Sequence, residues 1–462
     1  MKVKLNDFSS GFREDISDNL KSIGMPKKLL NFDYKSGSLK GIKNISNFNF
    51  NQNDIDLSGA KVFFFKKYDF NLDRRVDKLV FFDKSLNAYY LELLDMEDGL
   101  KPLGIKFRSE PRAINYRLDG EDVIILVSSD DHMVVWDGVK NPEIVLDAPK
   151  IGSMDIHYER LFAVVSGGDG AELKFSDDLD PTNWSESLSD AGTIELVDDR
   201  GKLLKVISFN DYLYIFREYG ITRLYANTAI QTNFYINHLF TSGGRILENT
   251  ISLAGDHVFF MTTDGFYVFD GATTRKVLDN FFPLVQFTGN ECATFFNGSY
   301  YLLCKMRNVD DECVVVEIKR DDFSVKVISG LNPAGMCLLK GDGSAKLVIT
   351  SLYNSYVFTL GEEEKVLDNI SLHGLYESPK IHFGRENERK VIRNIELFSK
   401  NPNGEQVELT ITNEEGKEVV LTTSKERFST NLFFDGLEFS FKLEVLDNDI
   451  EIKSLNFEIK EG

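Results

Sequence analysis

The sequence predicts an all-β fold, and three observations lead to this prediction. Short runs of β-branched and aromatic residues recur along the chain, and turn residues bound them, as in Lys61–Lys66 and Val123–Val127. Asp-Gly and Asn-Gly pairs, which suit tight hairpins, separate many of these runs. The pattern of turn, strand, tight turn, strand and charged return also repeats, whereas helical periodicity is weak.

The repeat has seven recognisable copies. Alignment on the first apolar strand of each copy gives Val80, Val123, Leu161, Leu213, Val258, Tyr300 and Leu347. The shortest spacing is 38 residues (161 − 123) and the longest is 52 (213 − 161). A period of about 40–50 residues made of short strands is typical of a β-propeller, whose four-stranded blades stack around an axis. We therefore predict a propeller of six to eight blades, with seven favoured; an array of β-sandwiches with accidental spacing is the alternative.

The two ends of the chain depart from the repeat, which gives three predicted domains. Residues 1–58 contain few long apolar runs and are predicted to form an extended N-terminal arm, and residues 59–375 form the propeller. Residues 376–462 no longer follow the period, and their strand pattern predicts a small C-terminal β-sandwich. The first 45 residues carry nine Lys or Arg and five Asp or Glu, a net charge of +4, against −24 for the rest. Such a basic arm is suited to lie on an acidic surface of a neighbouring subunit.

The overall charge limits the classes of function. With 53 Lys and Arg against 73 Asp and Glu, the net charge is −20, which argues against general binding to nucleic-acid phosphates or to anionic membranes. No apolar run reaches ~18 residues, so no membrane span is expected. The first residues lack the apolar core of a signal peptide. The four cysteines form no C-x-x-C pair and lie in or near apolar runs, so we expect them to be reduced core residues.

The sequence carries no catalytic or cofactor-binding motif that we recognise. Its six histidines lack zinc-binding spacing, and no G-x-S-x-G elbow, Walker loop or Rossmann fingerprint occurs. We therefore predict no enzyme activity, no catalytic or metal-binding residue and no cofactor. Two acidic loops, Ser176–Asp180 and Asp310–Glu312, contain the oxygen ligands that Ca²⁺ prefers; solvated loop carboxylates are the alternative. Ser176–Trp184 also resembles a degraded copy of the sialidase Asp-box, S-x-D-x-G-x-x-W.

Several segments resemble proteins of tailed-bacteriophage virions. His157–Ser185 matches their "RLF/RLY" strand, followed by "L-x-F/Y-S-D" and "D-P-x-N/D-W", and Gly201–Leu224 continues the match. Met25–Leu39 (MPKKLLNFDYKSGSL) resembles their opening, "lP-x-x-x-x-NfD-x-x-x-G-x-L", and Gly436–Ile459 resembles their terminal β-sandwich. The family comprises propeller-bearing neck and tail proteins, such as tail tubular protein B (nozzle) and packaged-DNA stabilisation (hub) proteins. Nozzle proteins are usually much longer, which favours a minimal hub or a neck component.

This resemblance implies a structural role in the neck or tail of a virion, after synthesis in the host cytoplasm. It implies a homo-oligomeric ring, with a hexamer favoured, below the portal and adaptor and in contact with them and with other tail proteins. Such a ring continues the DNA channel and helps to retain packaged DNA until ejection, without sequence-specific binding. An acidic lumen lets DNA slide because like charges repel, although plain solubility explains the acidity equally well.

Five residues are the structural and interaction candidates. We expect Asp180, Pro181 and Trp184 to anchor the long loop of the third repeat against its blade. Within the implied ring, Lys27 and Lys28 of the basic arm are expected to clasp an adjacent subunit.

Two other functions remain open. A carbohydrate- or receptor-binding propeller at the tail tip would expose aromatic residues beside polar loops, for which Trp136, Trp184 and Tyr353 are candidates. A propeller glycosidase would need two carboxylates ~5–10 Å apart. Since the chain has 73 acidic residues, such a pair is expected by chance and says little about function.

Overall fold

The fold is nearly all-β, as predicted. The computed structural model describes residues 1–17, 20–227, 230–341, 344–361, 372–446 and 449–461. Strands make up 53% of the structure, and no α-helix occurs within these ranges. Short 3-10 turns lie at Glu248–Thr250 and Phe282–Leu284. Among the described residues, no helix has both the length and the apolar character to cross a membrane.

Short strands also occur in the N-terminal segment, residues 1–47. They are β1 (Lys2–Leu5), β2 (Lys28–Leu30), β3 (Phe32–Asp33), β4 (Leu39–Gly41) and β5 (Ile45–Asn47).

The middle of the described chain forms seven small antiparallel sheets, called sheets 1 to 7 in chain order. Sheet 1 contains β6 (Lys61–Phe65), β9 (Lys78–Phe82), β10 (Asn87–Glu92) and β11 (Lys101–Lys106). Between β6 and β9 the chain forms a separate two-stranded ribbon of β7 (Tyr68–Asp69) and β8 (Arg74–Arg75). Sheet 2 contains β12 (Arg112–Leu118), β13 (Glu121–Val127), β14 (Met133–Trp136) and β15 (Glu143–Val145). Sheet 3 contains β16 (Ile151–His157), β17 (Arg160–Val165), β18 (Glu172–Phe175) and β19 (Gly192–Glu195).

The next four sheets follow the same plan. Sheet 4 contains β20 (Leu203–Phe209), β21 (Tyr212–Arg217), β22 (Gly220–Asn227) and β23 (Ile230–Thr241). Sheet 5 contains β24 (Ser252–Ala254), β25 (His257–Thr262), β26 (Gly265–Phe269) and β27 (Thr274–Val277). Sheet 6 contains β28 (Val285–Gln286), β29 (Cys292–Phe296), β30 (Ser299–Met306), β31 (Val314–Lys319) and β32 (Val325–Ile328). Sheet 7 contains β33 (Pro333–Lys340), β34 (Ala345–Ser351) and β35 (Val357–Leu360), with β5 as its last strand.

The sequence repeat corresponds to these sheets one to one. The seven aligned positions, from Val80 to Leu347, lie on β9, β13, β17, β21, β25, β30 and β34. Each of these is an interior strand of its sheet. Interior strands are covered on both faces by neighbouring sheets, so they read as continuous apolar runs and dominate the sequence signal.

The row of small sheets closes on itself. β5 pairs with β35 through Ile45 and Leu360, which completes sheet 7 with a strand from the other end of the chain. The Thr350 hydroxyl of sheet 7 donates a hydrogen bond of 2.6 Å to the carbonyl of Ala60, just before sheet 1. A Cβ added at Gly335 would lie 3.0 Å from the same carbonyl oxygen, so glycine permits the close approach of the two sheets.

Two larger sheets contain the C-terminal strands. These strands are β36 (Gly374–Glu377), β37 (Lys390–Lys400), β38 (Val407–Asn413), β39 (Glu418–Thr423), β40 (Arg427–Gly436), β41 (Phe439–Val445) and β42 (Glu451–Glu461). A six-stranded sheet has the order β3-β4-β42-β37-β40, with β1 also paired to β42, and a five-stranded sheet has the order β2-β36-β41-β38-β39.

The N-terminal segment is therefore not the separate extended arm that the sequence predicted. β4 pairs with β42 through Leu39 and Ile452, and β2 pairs with β36 through Leu29 and Tyr376. Phe8 is buried against Tyr376, with ring centroids 5.3 Å apart. Sequence patterns miss this arrangement because the partners lie at opposite ends of the chain, and pairing at that separation leaves no local signal.

One hydrophobic cluster joins the larger sheets to sheets 5 and 6. Phe441 and Phe457, from the two larger sheets, have ring centroids 4.4 Å apart. Phe259 of sheet 5 and Tyr300 of sheet 6 belong to the same cluster. The two larger sheets thus share a core with each other and pack on one side of the row of small sheets.

Candidate functional site

The loop at residues 176–184, which contains three of the five candidate residues, is a hydrogen-bonded turn. The Asp177 carboxylate accepts hydrogen bonds from the backbone N–H groups of Asp178 and Asp190 and from the Asn183 amide. The Asp180 carboxylate accepts from the N–H and the hydroxyl of Thr182, at 2.9 and 2.6 Å. Both side chains act as turn-forming acceptors, which is the common role of Asp in such loops.

Trp184 anchors this loop at the junction of sheets 2 and 3. Its side chain is only 8% exposed and shares a hydrophobic cluster with Tyr116 of sheet 2 and Leu161 of sheet 3. Its buried indole N–H meets no acceptor among the described residues. Pro181, in the same loop, is also buried. The structure places Asp180, Pro181 and Trp184 in one structural turn.

Both acidic loops use some of their carboxylates as hydrogen-bond acceptors, Asp177 and Asp180 in the first loop and Asp311 in the second. In the second loop, the Asp311 carboxylate accepts a hydrogen bond of 2.6 Å from the Gly330 N–H. Within the part of the chain that the structure describes, no group of three or more His, Cys, Asp or Glu side chains is placed to hold a metal ion.

Lys27 and Lys28 form contacts within their own chain. Lys27 Nζ lies 3.4 Å from a Glu377 carboxylate oxygen, and Lys28 Nζ lies 3.9 Å from an Asp310 oxygen. Lys28 is also the first residue of β2, which pairs with β36. Lys27 therefore lies against the larger five-stranded sheet, and Lys28 lies near sheet 6 of the same chain. Neither lysine is on a free arm.

A network of charged side chains crosses the centre of the row of small sheets. Lys61 Nζ of sheet 1 lies 3.4 Å from a Glu110 oxygen, and Arg112 of sheet 2 lies 3.5 Å from the same carboxylate. Arg112 also reaches Glu248 at 3.3 Å and Asn249 Oδ1 at 2.6 Å, in the turn just before sheet 5. Sheets 2 and 5 are not neighbours in the row, so this contact spans the centre that the first strands surround. We call these five residues the axial network.

Electrostatics in this centre are shaped by burial. Burial alone would raise the pKa of the Glu110 carboxyl. The positive charges of Arg112 and Lys61 outweigh this effect of burial, so the pKa lies below its ordinary value. Burial lowers the pKa of Lys205 to about 8, and the Arg112 charge adds to this effect. The Lys205 ammonium donates to the Ile251 carbonyl at 2.7 Å and forms no ion pair among the described residues. The same burial raises the pKa of the Cys292 thiol to about 11.

The axial network links sheet 1, sheet 2 and the turn before sheet 5 across their common centre. Sequence reasoning missed it, because each charge lies at or near the beginning of a first strand and appears there as an ordinary polar residue. The available signal was positional: Lys61, Arg112 and Lys205 lie at or near the beginning of the first strand in three copies of the repeat.

A groove of about 1230 Å³ lies beside sheets 1, 2 and 3, on the side where their first strands end. Lys66, Arg74 and Arg117 line it together with Asp119 and Glu159. Because its charges are of both signs, the groove suits a mixed polar surface better than a polyanion such as DNA.

The two other aromatic candidates differ in exposure. Trp136 is 3% exposed, and its indole N–H donates to the Lys140 carbonyl at 2.9 Å, so it is a core residue of sheet 2. Tyr353, in the hairpin between β34 and β35, is exposed.

No protein-family model and no curated protein matches this chain. Among solved structures it is similar to BBS1N in two crystal structures of BBS1N in complex with ARL6DN, one soaked with mercury and one with lead. Identity is 9% in both, the TM-scores are 0.45 and 0.47, and the match covers 70% and 71% of this chain and 98% and 99% of BBS1N.

A further similarity is to PorZ, an essential bacterial surface component of the type-IX secretion system of Porphyromonas gingivalis. It has 10% identity and a TM-score of 0.38, and it covers 65% of this chain and 42% of PorZ. All three TM-scores are below 0.5, so the fold rests on the observed strand pairing alone.

Proposed function

We propose that the seven small sheets are the blades of one seven-bladed β-propeller and that the two larger sheets form a β-sandwich beside blades 5 and 6. The contacts between sheets 7 and 1, made through Thr350 and Ala60, support the propeller, since a closed ring of blades needs its last blade to meet its first. The hydrophobic cluster shared by the larger sheets supports the sandwich.

We further propose that the chain is a structural protein of a tailed-phage neck or tail, nozzle- or hub-like, and that it assembles into a ring below the portal and adaptor. One observation carries this proposal. The two terminal segments that resemble such proteins, Met25–Leu39 and Gly436–Ile459, are partners in the same sheet, where Leu39 pairs with Ile452. Two resemblances far apart in the chain thereby describe a single structural unit.

In this proposal the DNA passes through the centre of the ring of subunits and not through any one propeller. The Arg112–Glu248 contact crosses the middle of the blades, which leaves no path for a duplex along that axis. A net charge of −20 on each chain supplies carboxylates that repel phosphates and let DNA move without sticking.

Assembly of the purified chain tests this function. We expect a discrete closed oligomer, with six copies favoured, by analytical ultracentrifugation and mass photometry over a concentration series. We also expect no retention of duplex DNA at physiological salt, because the acidic surface repels phosphates. A chain that stays monomeric at every soluble concentration, or one that binds duplex DNA tightly, would contradict the proposal.

One observation favours a second candidate, glycan or receptor binding at a tail tip. Tyr353 and Tyr356 are both exposed and flank the polar pair Asn354 and Ser355 in one hairpin. Aromatic rings beside polar side chains are the usual platform for a sugar. Glycan-array binding that disappears in Tyr353→Ala would support this function, and an array with no signal would count against it.

A further inference from the structure

The outer edges of sheets 2 and 3 expose large apolar side chains. β15 and β19 are the edge strands of these sheets, farthest from the first strands. Val139, beside β15, is 79% exposed, and Leu188, before β19, is 86% exposed; Ile144, Leu146 and Val197 are also exposed. We call this surface, formed by residues 137–150 and 185–200, the acidic rim. Apolar side chains this exposed along two neighbouring edges are typical of a surface that another protein covers.

The acidic rim owes its name to its charge. Its two segments contain eight carboxylates and three Lys or Arg. Glu143 on β15 and Glu195 on β19 are both exposed and form no ion pair among the described residues. The surface therefore suits a partner face that combines cations with apolar rings.

A surface of that chemistry lies on the same chain, on the outward face of the six-stranded sheet. β40 is the edge strand of this sheet, and its Phe433 is 80% exposed. The Arg393 guanidinium lies over the Phe433 ring, 5.9 Å from its centroid, and Arg427 lies over Phe398 at 5.1 Å.

Strand pairing places further charges on this outward face. It aligns Lys2 with Glu458, and it places Lys4 and Lys460 on the same side of the sheet. Together with Arg393 and Arg427, these lysines make five cations, against the three carboxylates of Glu396, Asp435 and Glu458. We call this surface the basic face.

The two surfaces lie on opposite sides of the proposed propeller. The larger sheets pack on sheets 5 and 6. In a closed ring of seven blades, sheet 2 is three places from both of these sheets, and sheet 3 is two places from sheet 5 and three from sheet 6. The acidic rim of one copy therefore cannot meet its own basic face, but it can meet that of a second copy.

We propose that the acidic rim of one copy docks on the basic face of the next, in a head-to-tail contact repeated around the ring. Opposite charges and exposed apolar groups on both sides give this contact its complementarity. A contact between two different surfaces of identical chains generates a ring when its rotation closes. This interface deepens the proposed ring function and rests on it.

Charge reversal on each surface tests the interface. The rim variant is Glu143→Lys with Glu195→Lys, and the face variant is Arg393→Glu with Arg427→Glu. The matched control is Lys84→Glu with Lys106→Glu, two exposed cations of sheet 1. Assembly is measured by analytical ultracentrifugation, and circular dichroism verifies the fold of each variant.

We expect each interface variant alone to dissociate at least tenfold more readily than the wild type, because the reversal opposes like charges. We expect the control to assemble as the wild type does. An equimolar mixture of the rim and face variants should assemble again, since each variant carries the surface that the other one complements. Recovery on mixing cannot come from misfolded chains.

The outcomes separate this inference from the proposed function. If the wild type forms rings and both interface variants form them equally well, the interface is wrong while the ring function stands. If dissociated variants do not recover on mixing, the pairing of these two surfaces is also wrong. A wild-type chain that never assembles overturns both the interface and the ring.

Discussion

Replacing Trp184 by alanine tests whether the 176–184 loop is a structural anchor. The side chain is 8% exposed and packs between sheets 2 and 3. A buried tryptophan removes ~200 Å² from water, which at ~25 cal/mol per Å² is worth about 5 kcal/mol. Truncation of such a ring to alanine commonly costs ~3–5 kcal/mol, and we expect a loss in this range. Urea unfolding at 25 °C, followed by circular dichroism and by the fluorescence of Trp136, measures the change.

The matched control is Trp184→Phe. This change keeps an aromatic ring at the junction and removes an indole N–H that is buried without an acceptor among the described residues. We therefore expect the free energy of unfolding to change by less than ~1.5 kcal/mol. If Trp184→Ala unfolds at the same urea concentration as the wild type, the anchoring role is wrong, and the ring must serve contacts outside the chain.

Three further predictions follow from the fold. Lys205→Met should raise the free energy of unfolding at pH 7, and its advantage over the wild type should shrink as pH rises from about 8 towards the ordinary lysine pKa. The sign follows because the folded state releases the Lys205 proton at lower pH than the unfolded state; a pH-independent difference in urea unfolding would refute this reasoning. Lys27→Ala with Lys28→Ala should change the free energy of unfolding by less than ~1 kcal/mol and leave assembly intact, because the Lys27 ion pair is exposed and the Lys28 ion pair is long, at 3.9 Å. Loss of rings in sedimentation would instead support an arm that clasps the neighbouring subunit. Deleting residues 1–47 should abolish cooperative unfolding, because this removes strands from both larger sheets and from sheet 7; a truncated chain with wild-type melting would contradict the pairing.

The sequence repeat predicted the strand-rich middle of the fold well, because interior strands are buried on both faces and so form continuous apolar runs in the sequence. Val80 and its six counterparts each lie on an interior strand of a small sheet. First strands such as β12 are only partly buried, so their mixed polarity hides them. β5 is three residues long, and its partner lies more than 300 residues away, so no local signal reveals it.

The same distinction holds for the candidate site residues. The motif that contains Asp180 and Trp184 is local, and the structure places it in one hydrogen-bonded turn, as its spacing suggests. The contacts of Lys27 and Lys28 depend on residues more than 280 positions away, and composition alone suggested a free basic arm. The contact of Arg112 with Glu248 likewise arises only when non-adjacent sheets meet at a common centre.

The most direct test of the ring function is electron microscopy of the purified chain. We expect closed rings with a central opening wide enough for duplex DNA. The basic face of one subunit should touch the acidic rim of the next, and no duplex-sized channel should run along the axis of a single propeller. Isolated single copies at every concentration, or open filaments without a closed ring, would contradict the proposed role.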